Sequence, residues 1–238
     1  MPAYQFTRRR HLSRHNQDSR WGGHPEVQPG QSLQAILNTA NMQGGDTVYL
    51  GPYTFYLKST LTVPSNVTLR GVPNVTRLVV LYDPGDPQYG PVVTINAAAR
   101  VQDCIIDFDL TQEGRVSGYT LGQDTAVLTK PSGSTTTLSS TDYNSVVKLN
   151  GARARLQNCH IPSGVRRAVL VSADKGIVIG NEIDHDSTNN NAAIYCENTV
   201  KDCVMSSNIC TSASGIISVK TGLDNVVVAN LATLVERA

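Results

Sequence analysis

The sequence has little charge, few aromatic rings and no long apolar run. Of its 238 residues, 16% are Asp, Glu, Lys or Arg, whereas about a quarter is usual in soluble domains. A helical bundle normally has a surface rich in Lys and Glu, so the low charge argues against one. No apolar stretch is long enough to span a bilayer, and no apolar core follows the basic start as in a signal peptide. We therefore expect neither a membrane partner nor secretion by a signal peptide.

The cysteines are few and follow no metal-binding pattern. There are five, an odd number, and no two have the C-x-x-C spacing of a zinc site. A disulfide framework is therefore not expected either. We interpret them as small buried apolar side chains in a reducing compartment, and we expect no metal and no other cofactor. They are Cys104, Cys159, Cys196, Cys203 and Cys210.

Positive charge is concentrated at the start of the chain. Residues 1–24 contain five arginines and one aspartate, a net charge of +4, which leaves −3 for the remainder because the total is +1. These residues show no apolar periodicity, so we interpret them as a basic extended arm on a body formed by residues 25–238. We expect the arm to bind a capsid or other virion protein and not nucleic acid, because aromatic residues among the arginines are sparse. Its candidate binding residues are Arg8, Arg9, Arg10, Arg14, Arg20 and Trp21.

One helix is predicted, over residues 32–43. Its apolar residues, from Leu33 to Ala40, fall on one helical face. Ser32 is a suitable N-cap and Gly44-Gly45 a suitable end. Short strands separated by turn residues follow: Thr47–Leu50, Tyr53–Leu57, Thr60–Val63 and Asn66–Leu69.

An internal repeat predicts how the strands are arranged. Five six-residue segments share apolar or small first and sixth positions, at steps of 55, 22, 27 and 22 residues. An apolar strand precedes each segment. Two strands with their turns every 22–27 residues form one coil of a solenoid. The segments begin at Val101, Leu156, Val178, Met205 and Val227.

The fourth position of the repeat predicts a stack of side chains. It is cysteine in the first two segments and Asn181, Asn208 and Asn230 in the last three. Asparagines at one turn position of successive coils can form a ladder in which the amides bond each other. We therefore assign these three a structural role.

The long first step contains an insertion at residues 111–145. Thr125–Lys130 and Thr135–Ser140 flank Pro131-Ser-Gly-Ser134, which predicts a β-hairpin. We interpret the insertion as a lateral loop of one coil. Such a loop either binds a ligand or has no partner, and the sequence leaves both open.

The beginning of the body resembles a known family. The helix from Ser32, the stretch Gly44-Gly-Asp-Thr-Val-Tyr-Leu50 and the stretch Leu61-Thr-Val-Pro-Ser-Asn-Val-Thr-Leu-Arg-Gly71 resemble the opening of right-handed parallel β-helix proteins of the pectate-lyase-like type. Small bacteriophage virion proteins of that type, decoration or tailspike-like, are the most similar. The resemblance implies an all-β, single-stranded parallel β-helix of six or seven coils with a capping helix. It leaves the activity open, because lyases, hydrolases, esterases, tailspikes and inert virion parts share the fold.

Two acidic clusters are the candidates for catalysis. Enzymes of the resembling family use acidic residues outside one sheet, and Asp107 with Asp109, or Asp184 with His185 and Asp186, would be their counterparts. The alternative is that these residues lie in solvated turns. The expected hydrolase triplets are absent, and Tyr195 is the one aromatic residue beyond position 150, too few rings for a long sugar cleft.

Together these observations predict a structural protein of a phage-like virion, made in the host cytoplasm. We expect a homotrimeric capsid decoration or cement protein whose arm anchors on the capsid while the β-helix projects. The alternative is a tail or head appendage that binds a cell-surface glycan or cleaves it as a lyase or hydrolase. No helix is predicted to cover the last coil, so we expect a partner or a terminal turn to cover it.

Overall fold

The computed structural model describes most of the chain from residue 26 onward. The described residues are 26–57, 59–80, 91–107, 120–121, 127–129, 135–137, 145–162, 167–184, 192–211, 216–219, 223–231 and 234–237. The predictions for the arm, with Arg8, Arg9, Arg10, Arg14, Arg20 and Trp21, therefore lie outside the described residues.

The first part of the chain is a helix followed by short strands. Its elements are β1 (Glu26–Val27), α1 (Leu33–Met42), β2 (Thr47–Leu50), β3 (Thr54–Leu57), β4 (Leu61–Val63), β5 (Thr68–Arg70), β6 (Arg77–Val80), β7 (Val93–Ile95), β8 (Arg100–Gln102) and β9 (Ile105–Asp107).

Three strands within the insertion form a separate antiparallel sheet. They are β10 (Thr120–Leu121), β11 (Val127–Thr129) and β12 (Thr135–Thr137). The predicted hairpin is confirmed, because β11 and β12 pair antiparallel.

Short strands continue through the rest of the chain. They are β13 (Val147–Leu149), β14 (Arg155–Gln157), β15 (His160–Ile161), β16 (Val169–Val171), β17 (Ile177–Ile179), β18 (Glu182–Ile183), β19 (Ile194–Cys196), β20 (Val204–Ser206), β21 (Ile209–Cys210), β22 (Ile216–Val219), β23 (Val226–Val228) and β24 (Leu234–Arg237).

The strands outside the insertion form three parallel sheets. Sheet A has the order β1-β2-β5-β8-β14-β17-β20-β23, sheet B β3-β6-β9-β15-β18-β21, and sheet C β4-β7-β13-β16-β19-β22-β24. Each coil adds one strand to A, then B, then C, so the six strands of sheet B define six complete coils. In a further partial coil Leu231 bridges Ile209 of sheet B. The prediction of an all-β parallel solenoid with one short helix near the N-terminus is confirmed.

The register agrees with the sequence repeat. Leu156 pairs with Val101 on one side and with Val178 on the other, and Met205 pairs with Val178 and Val227. The predicted steps of 55, 22, 27 and 22 residues are therefore confirmed as the lengths of successive coils. Their inward side chains belong to one continuous apolar core.

Helix α1 covers one end of that core. Leu33, Leu37 and Ala40 are buried against it, and the Gln34 amide bonds both the N–H and the C=O of Thr62 on β4, at 2.9 Å each. Gln34 thereby satisfies backbone groups on the outermost strand of sheet C. The predicted capping role of Ser32 is wrong in one respect: Ser32 occupies the N-cap position, but its exposed hydroxyl makes no capping hydrogen bond. Water can satisfy the exposed N–H groups of the first turn instead.

The turn between sheets A and B repeats a strained backbone conformation. One residue with positive φ ends sheet A in five successive coils, and the next residue points into the turn. The positive-φ residues are Asp103 (60°), Asn158 (51°), Gly180 (67°), Ser207 (56°) and Ala229 (51°). The residue that follows each of them occupies the fourth position of the sequence repeat.

Side-chain amides connect this turn from coil to coil. Asn181 Nδ2 donates to Asn208 Oδ1 at 2.9 Å, and Asn208 Nδ2 donates to Asn230 Oδ1 at 2.9 Å. Asn181 Oδ1 also accepts the N–H of Cys159 at 2.9 Å. In that coil a thiol replaces the amide, and the chain of side-chain amides ends.

All five cysteines are buried and none forms a disulfide, so their interpretation as small buried side chains is confirmed. Burial raises the pKa of the Cys159 thiol to about 12. The thiol therefore stays protonated, and it donates weakly to the carbonyl of Gln157 at 3.3 Å.

Candidate functional site

The outer face of sheet B has two columns of side chains on either side of a buried one. The buried column is Phe55, Leu78, Ile106, Ile161, Ile183 and Cys210. The outer column nearer sheet C contains Tyr56, Val79 and Asp107 in register. Two coils further on it continues with Asp184 and Thr211, which follow the paired residues Ile183 and Cys210. We call this the outer column of sheet B.

A cluster of three polar side chains lies on this face. His160 Nε2 is 3.1 Å from Asp184 Oδ2, and the Thr211 hydroxyl donates to Asp184 Oδ1. The hydrogen bond from Thr211, and after it the hydrogen bond and charge of His160, lower the pKa of Asp184. The carboxylate keeps its charge in neutral solution and remains 44% exposed.

The sequence analysis missed two members of this cluster. It associated Asp184 with its neighbours His185 and Asp186, which lie outside the described residues. The partner is instead His160 of the preceding coil. The repeat contained the signal, because it aligns His160 with Glu182, two residues before Asp184.

Asp107 is buried and paired with a cation, so its interpretation as a residue of a solvated turn is wrong. Its carboxylate is 6% exposed and forms an ion pair with the guanidinium of Arg77 in the preceding coil. Arg77 lies in the other outer column of sheet B, so the pair runs diagonally between neighbouring strands. Asp109, its proposed companion, lies outside the described residues.

The two described carboxylates of the candidate catalytic set lie far apart. Asp107 and Asp184 belong to the same column with one coil between them. At about 4.8 Å per coil they are about 10 Å apart. The structure therefore does not bring Asp107 into the cluster of Asp184, His160 and Thr211.

A groove lies at the first coil, near the start of α1. Its volume is about 590 Å³, within the range of small-ligand sites. Tyr56 forms part of its wall and is 47% exposed. The polar side chains that line it are all uncharged: Gln31, Ser32, Gln34, Thr54, Tyr56, Ser59 and Thr60. Such a lining presents hydroxyl and amide groups beside an aromatic ring.

The connections that leave sheet B vary greatly in length. Four successive connections from sheet A to sheet B, after β8, β14, β17 and β20, contain two residues each. Those from sheet B to sheet C range from three residues (58–60) to 39 residues (108–146). The outer column of sheet B ends at this variable corner, where solenoid proteins often bind ligands.

Sheet C offers a poorer surface for a sugar. Its exposed ring belongs to Tyr195, and the Arg167 guanidinium lies over that ring, 3.8 Å from the centroid. The protein's own cation therefore occupies one face of this ring. Among the described residues no helix is long and apolar enough to cross a membrane, and no group of three His, Cys, Asp or Glu side chains is placed to hold a metal ion.

Solved structures share this fold. A "putative glycosyl hydrolase" from Parabacteroides merdae ATCC 43184 superposes with a TM-score of 0.52 at 12% identity, over 89% of this chain and 91% of that one. A tailspike protein of E. coli bacteriophage HK620 superposes with a TM-score of 0.53 at 15% identity, over 86% of this chain. This chain spans 37% of the tailspike. At these identities the likeness concerns the fold alone.

Sequence comparisons add no relative. No family model matches the chain, and no curated protein matches it. The chemistry of the outer face of sheet B therefore has to be argued from its own residues.

Proposed function

We propose that the chain is a virion appendage of a phage-like particle that binds a cell-surface glycan along the outer face of sheet B. The observation that carries this proposal is one column of side chains that joins two sugar-compatible sites. Tyr56 and the uncharged groove lie at one end, and Asp184 with His160 and Thr211 lies four coils away. At about 4.8 Å per coil the two sites are about 19 Å apart, a span for several sugar rings. The fold shared with a tailspike supports the virion part of the proposal.

Binding without cleavage fits this face better than hydrolysis does. A general acid must hold a proton at neutral pH, and the lowered pKa of Asp184 works against that role. Asp107 is buried against Arg77 and is not available to a substrate. The charged Asp184 and the hydroxyl of Thr211 are instead suited to bonding sugar hydroxyl groups.

Glycan binding can be measured on a panel of purified capsular and lipopolysaccharide-derived polysaccharides from bacteria. For the polysaccharide that binds, Asp184→Asn and Tyr56→Ala are each expected to weaken the affinity by about tenfold or more, because a charge-assisted hydrogen bond or a stacking surface is lost. Asp202→Asn and Thr94→Val are the matched controls on other surfaces, and they should leave the affinity unchanged. A reducing-end assay on the same mixtures should show no cleavage.

The dependence of this binding on pH tests the role of Thr211. Because its hydroxyl lowers the pKa of Asp184, the wild-type carboxylate stays charged while pH falls through the ordinary aspartate range near ~3.9. In Thr211→Val the affinity should decline at a higher pH than in the wild type. If all polysaccharides fail to bind, or the variants bind as the wild type does, the glycan proposal is wrong. Release of new reducing ends would favour the enzymatic alternative.

The finer role that we propose is capsid decoration by a homotrimer anchored through residues 1–24. What supports it is the segregation of charge, +4 in this segment against −3 in the rest. Arginine guanidinium groups bind carboxylates on a partner protein by paired hydrogen bonds, and three such segments in one trimer would add avidity.

Replacement of Arg8, Arg9 and Arg10 with Ala in the full chain tests this anchor. We expect loss of attachment to the particle in co-sedimentation, with an unchanged circular dichroism spectrum and unchanged glycan affinity. Attachment that survives the triple replacement would refute the anchoring role of these arginines and favour an attachment site on the β-helix.

A further inference from the structure

The outer face of sheet A changes character along the coils. In the column that begins each strand, Arg100 and Arg155 are followed in the next coils by Ile177, Val204 and Val226. In the column that ends each strand, Gln102 and Gln157 are followed by Ile179, Ser206 and Val228. Equivalent outward positions are therefore polar in the earlier coils and mostly aliphatic in the later ones.

The aliphatic surface continues around the edge onto sheet B. Ile209 lies in the outer column of sheet B that is nearer sheet A, and Leu231 bridges it in the next coil. Ile209 is 42% exposed and Leu231 is 69% exposed. We call the combined surface the aliphatic corner, formed by Ile177, Ile179, Val204, Val226 and Val228 on sheet A and by Ile209 and Leu231 on sheet B.

The fold does not require apolar residues at this corner, since the same outward positions hold Arg and Gln in earlier coils. Eight large apolar side chains are exposed among the described residues, and four of them lie here: Val226, Val228, Ile209 and Leu231. A contiguous exposed apolar surface marks a contact with another macromolecule.

We propose that copies of this chain associate through the aliphatic corner, with sheet A of one copy packed on sheet B of the next, in a closed ring of three. Two features indicate a second copy as the occupant. The aliphatic residues lie on both sides of one edge, so that each copy forms a wedge that contacts two neighbours. A contact between two different patches of the same chain closes into a ring when the rotation permits.

The second feature is the spacing of the side chains. The corner repeats at about 4.8 Å, the coil spacing. Another copy that stands parallel presents the same spacing, and because both patches occupy the last coils they meet at the same height. Side chains of one copy can then fit between those of the next along the whole contact.

The charges beside the corner are compatible with this arrangement. The exposed residues at the turns that enter sheet A in these coils are Lys175, Lys201, Asp202 and Asp224, which sum to zero. In the earlier coils Arg100 and Arg155 lie on sheet A itself, and equivalent coils of a parallel neighbour would add further positive charge. The geometry therefore places the contact in the later coils.

Charge reversal across the contact tests the proposal in the full chain. Multi-angle light scattering of the wild type should give the mass of three chains. Val228→Lys and Ile209→Glu should each give the mass of one chain, because each places a charge in an apolar contact. The double variant should return to three, since the introduced lysine of one copy would then face the introduced glutamate of the next. Gln157→Lys, in the same column as Val228 but in an earlier coil, is the control and should stay at three.

Three results would overturn the proposal: a monomeric wild type, single variants that keep the mass of three chains, or a double variant that stays dissociated. Circular dichroism and thermal melting show whether each variant is folded. If the charged variants do not fold, Val228→Thr keeps the shape of the side chain, and it should raise the concentration at which the trimer dissociates. The inference deepens the proposed homotrimer and fails separately from glycan binding, because Tyr56 and Asp184 lie on the opposite margin of sheet B.

Discussion

Asn208→Ala is expected to lower the free energy of unfolding by about 3 kcal/mol. The Asn208 side chain is fully buried and makes four hydrogen bonds in the turn between sheets A and B. It donates to the carbonyl of Val178 and to Asn230 Oδ1, and it accepts from the backbone N–H and the amide of Asn181, at 2.9–3.1 Å. Alanine removes all four bonds and leaves a buried carbonyl and a buried N–H without these partners. Such groups cost about 1–3 kcal/mol each when water cannot reach them.

Urea denaturation followed by circular dichroism measures this loss. The control is Asn198→Ala, which changes an exposed asparagine and should alter the free energy by less than about 0.5 kcal/mol. Asn230→Ala should have an intermediate effect, because Asn230 is only partly buried, although it too bonds the neighbouring coil. Equal stability of Asn208→Ala and Asn198→Ala would show that the amide ladder does not hold the coils together.

The same turn shows how far the sequence predicts the fold. The steps between the repeated segments are the true lengths of the coils, because each inward position must be apolar in every coil and the chain has little freedom to shift by one residue. The strain at the residue before Asn208 has no such signal in the sequence. Its positive φ is adopted elsewhere in the same turn by Asp, Asn, Gly and Ala, and no common residue type marks it.

The candidate site was less predictable, because its contacts run between coils. Asp184 was identified from an acidic cluster along the chain, but His160 lies one coil earlier and Thr211 one coil later. Burial was also hidden. Asp107 follows two isoleucines and reads as the start of a turn, yet the structure pairs it with Arg77, 30 residues before it. Such contacts follow from the repeat only when every segment is aligned as a column.

The aliphatic corner has the same origin. Val226, Val227 and Val228 are three successive valines in the sequence and suggest a wholly buried strand. In the structure Val227 packs against the core, while Val226 and Val228 point outward and are 44% and 50% exposed. Only the alternation of a strand in a known register separates the two uses of the same residue type.

The second large effect is expected from Gly151→Ala, which should lower the free energy of unfolding by about 3 kcal/mol. Between sheets C and A, the coil of Gly151 has five residues (150–154) where the preceding coil has four (96–99). The added residue brings Gly151 against the backbone of that coil. A methyl group here would lie 2.6 Å from both the Cα of Ala97 and the carbonyl carbon of Asn96. Because both atoms belong to the backbone, the two coils would have to separate, and hydrogen bonds such as that from the N–H of Ala98 to the carbonyl of Ala152, at 2.8 Å, would weaken.

Gly176→Ala provides the matched comparison in the next coil. A methyl group there would meet side-chain atoms, Val171 Cγ1 at 2.6 Å and Leu149 Cδ2 at 3.4 Å. Side chains can adjust where backbone cannot, so we expect a smaller loss, about 1 kcal/mol. Thermal melting and urea denaturation of the two variants should rank Gly151→Ala as the less stable by a clear margin. The opposite order would mean that the coils separate more easily than their side chains repack, and the solenoid would then owe its stability to the apolar core more than to the bonds between its turns.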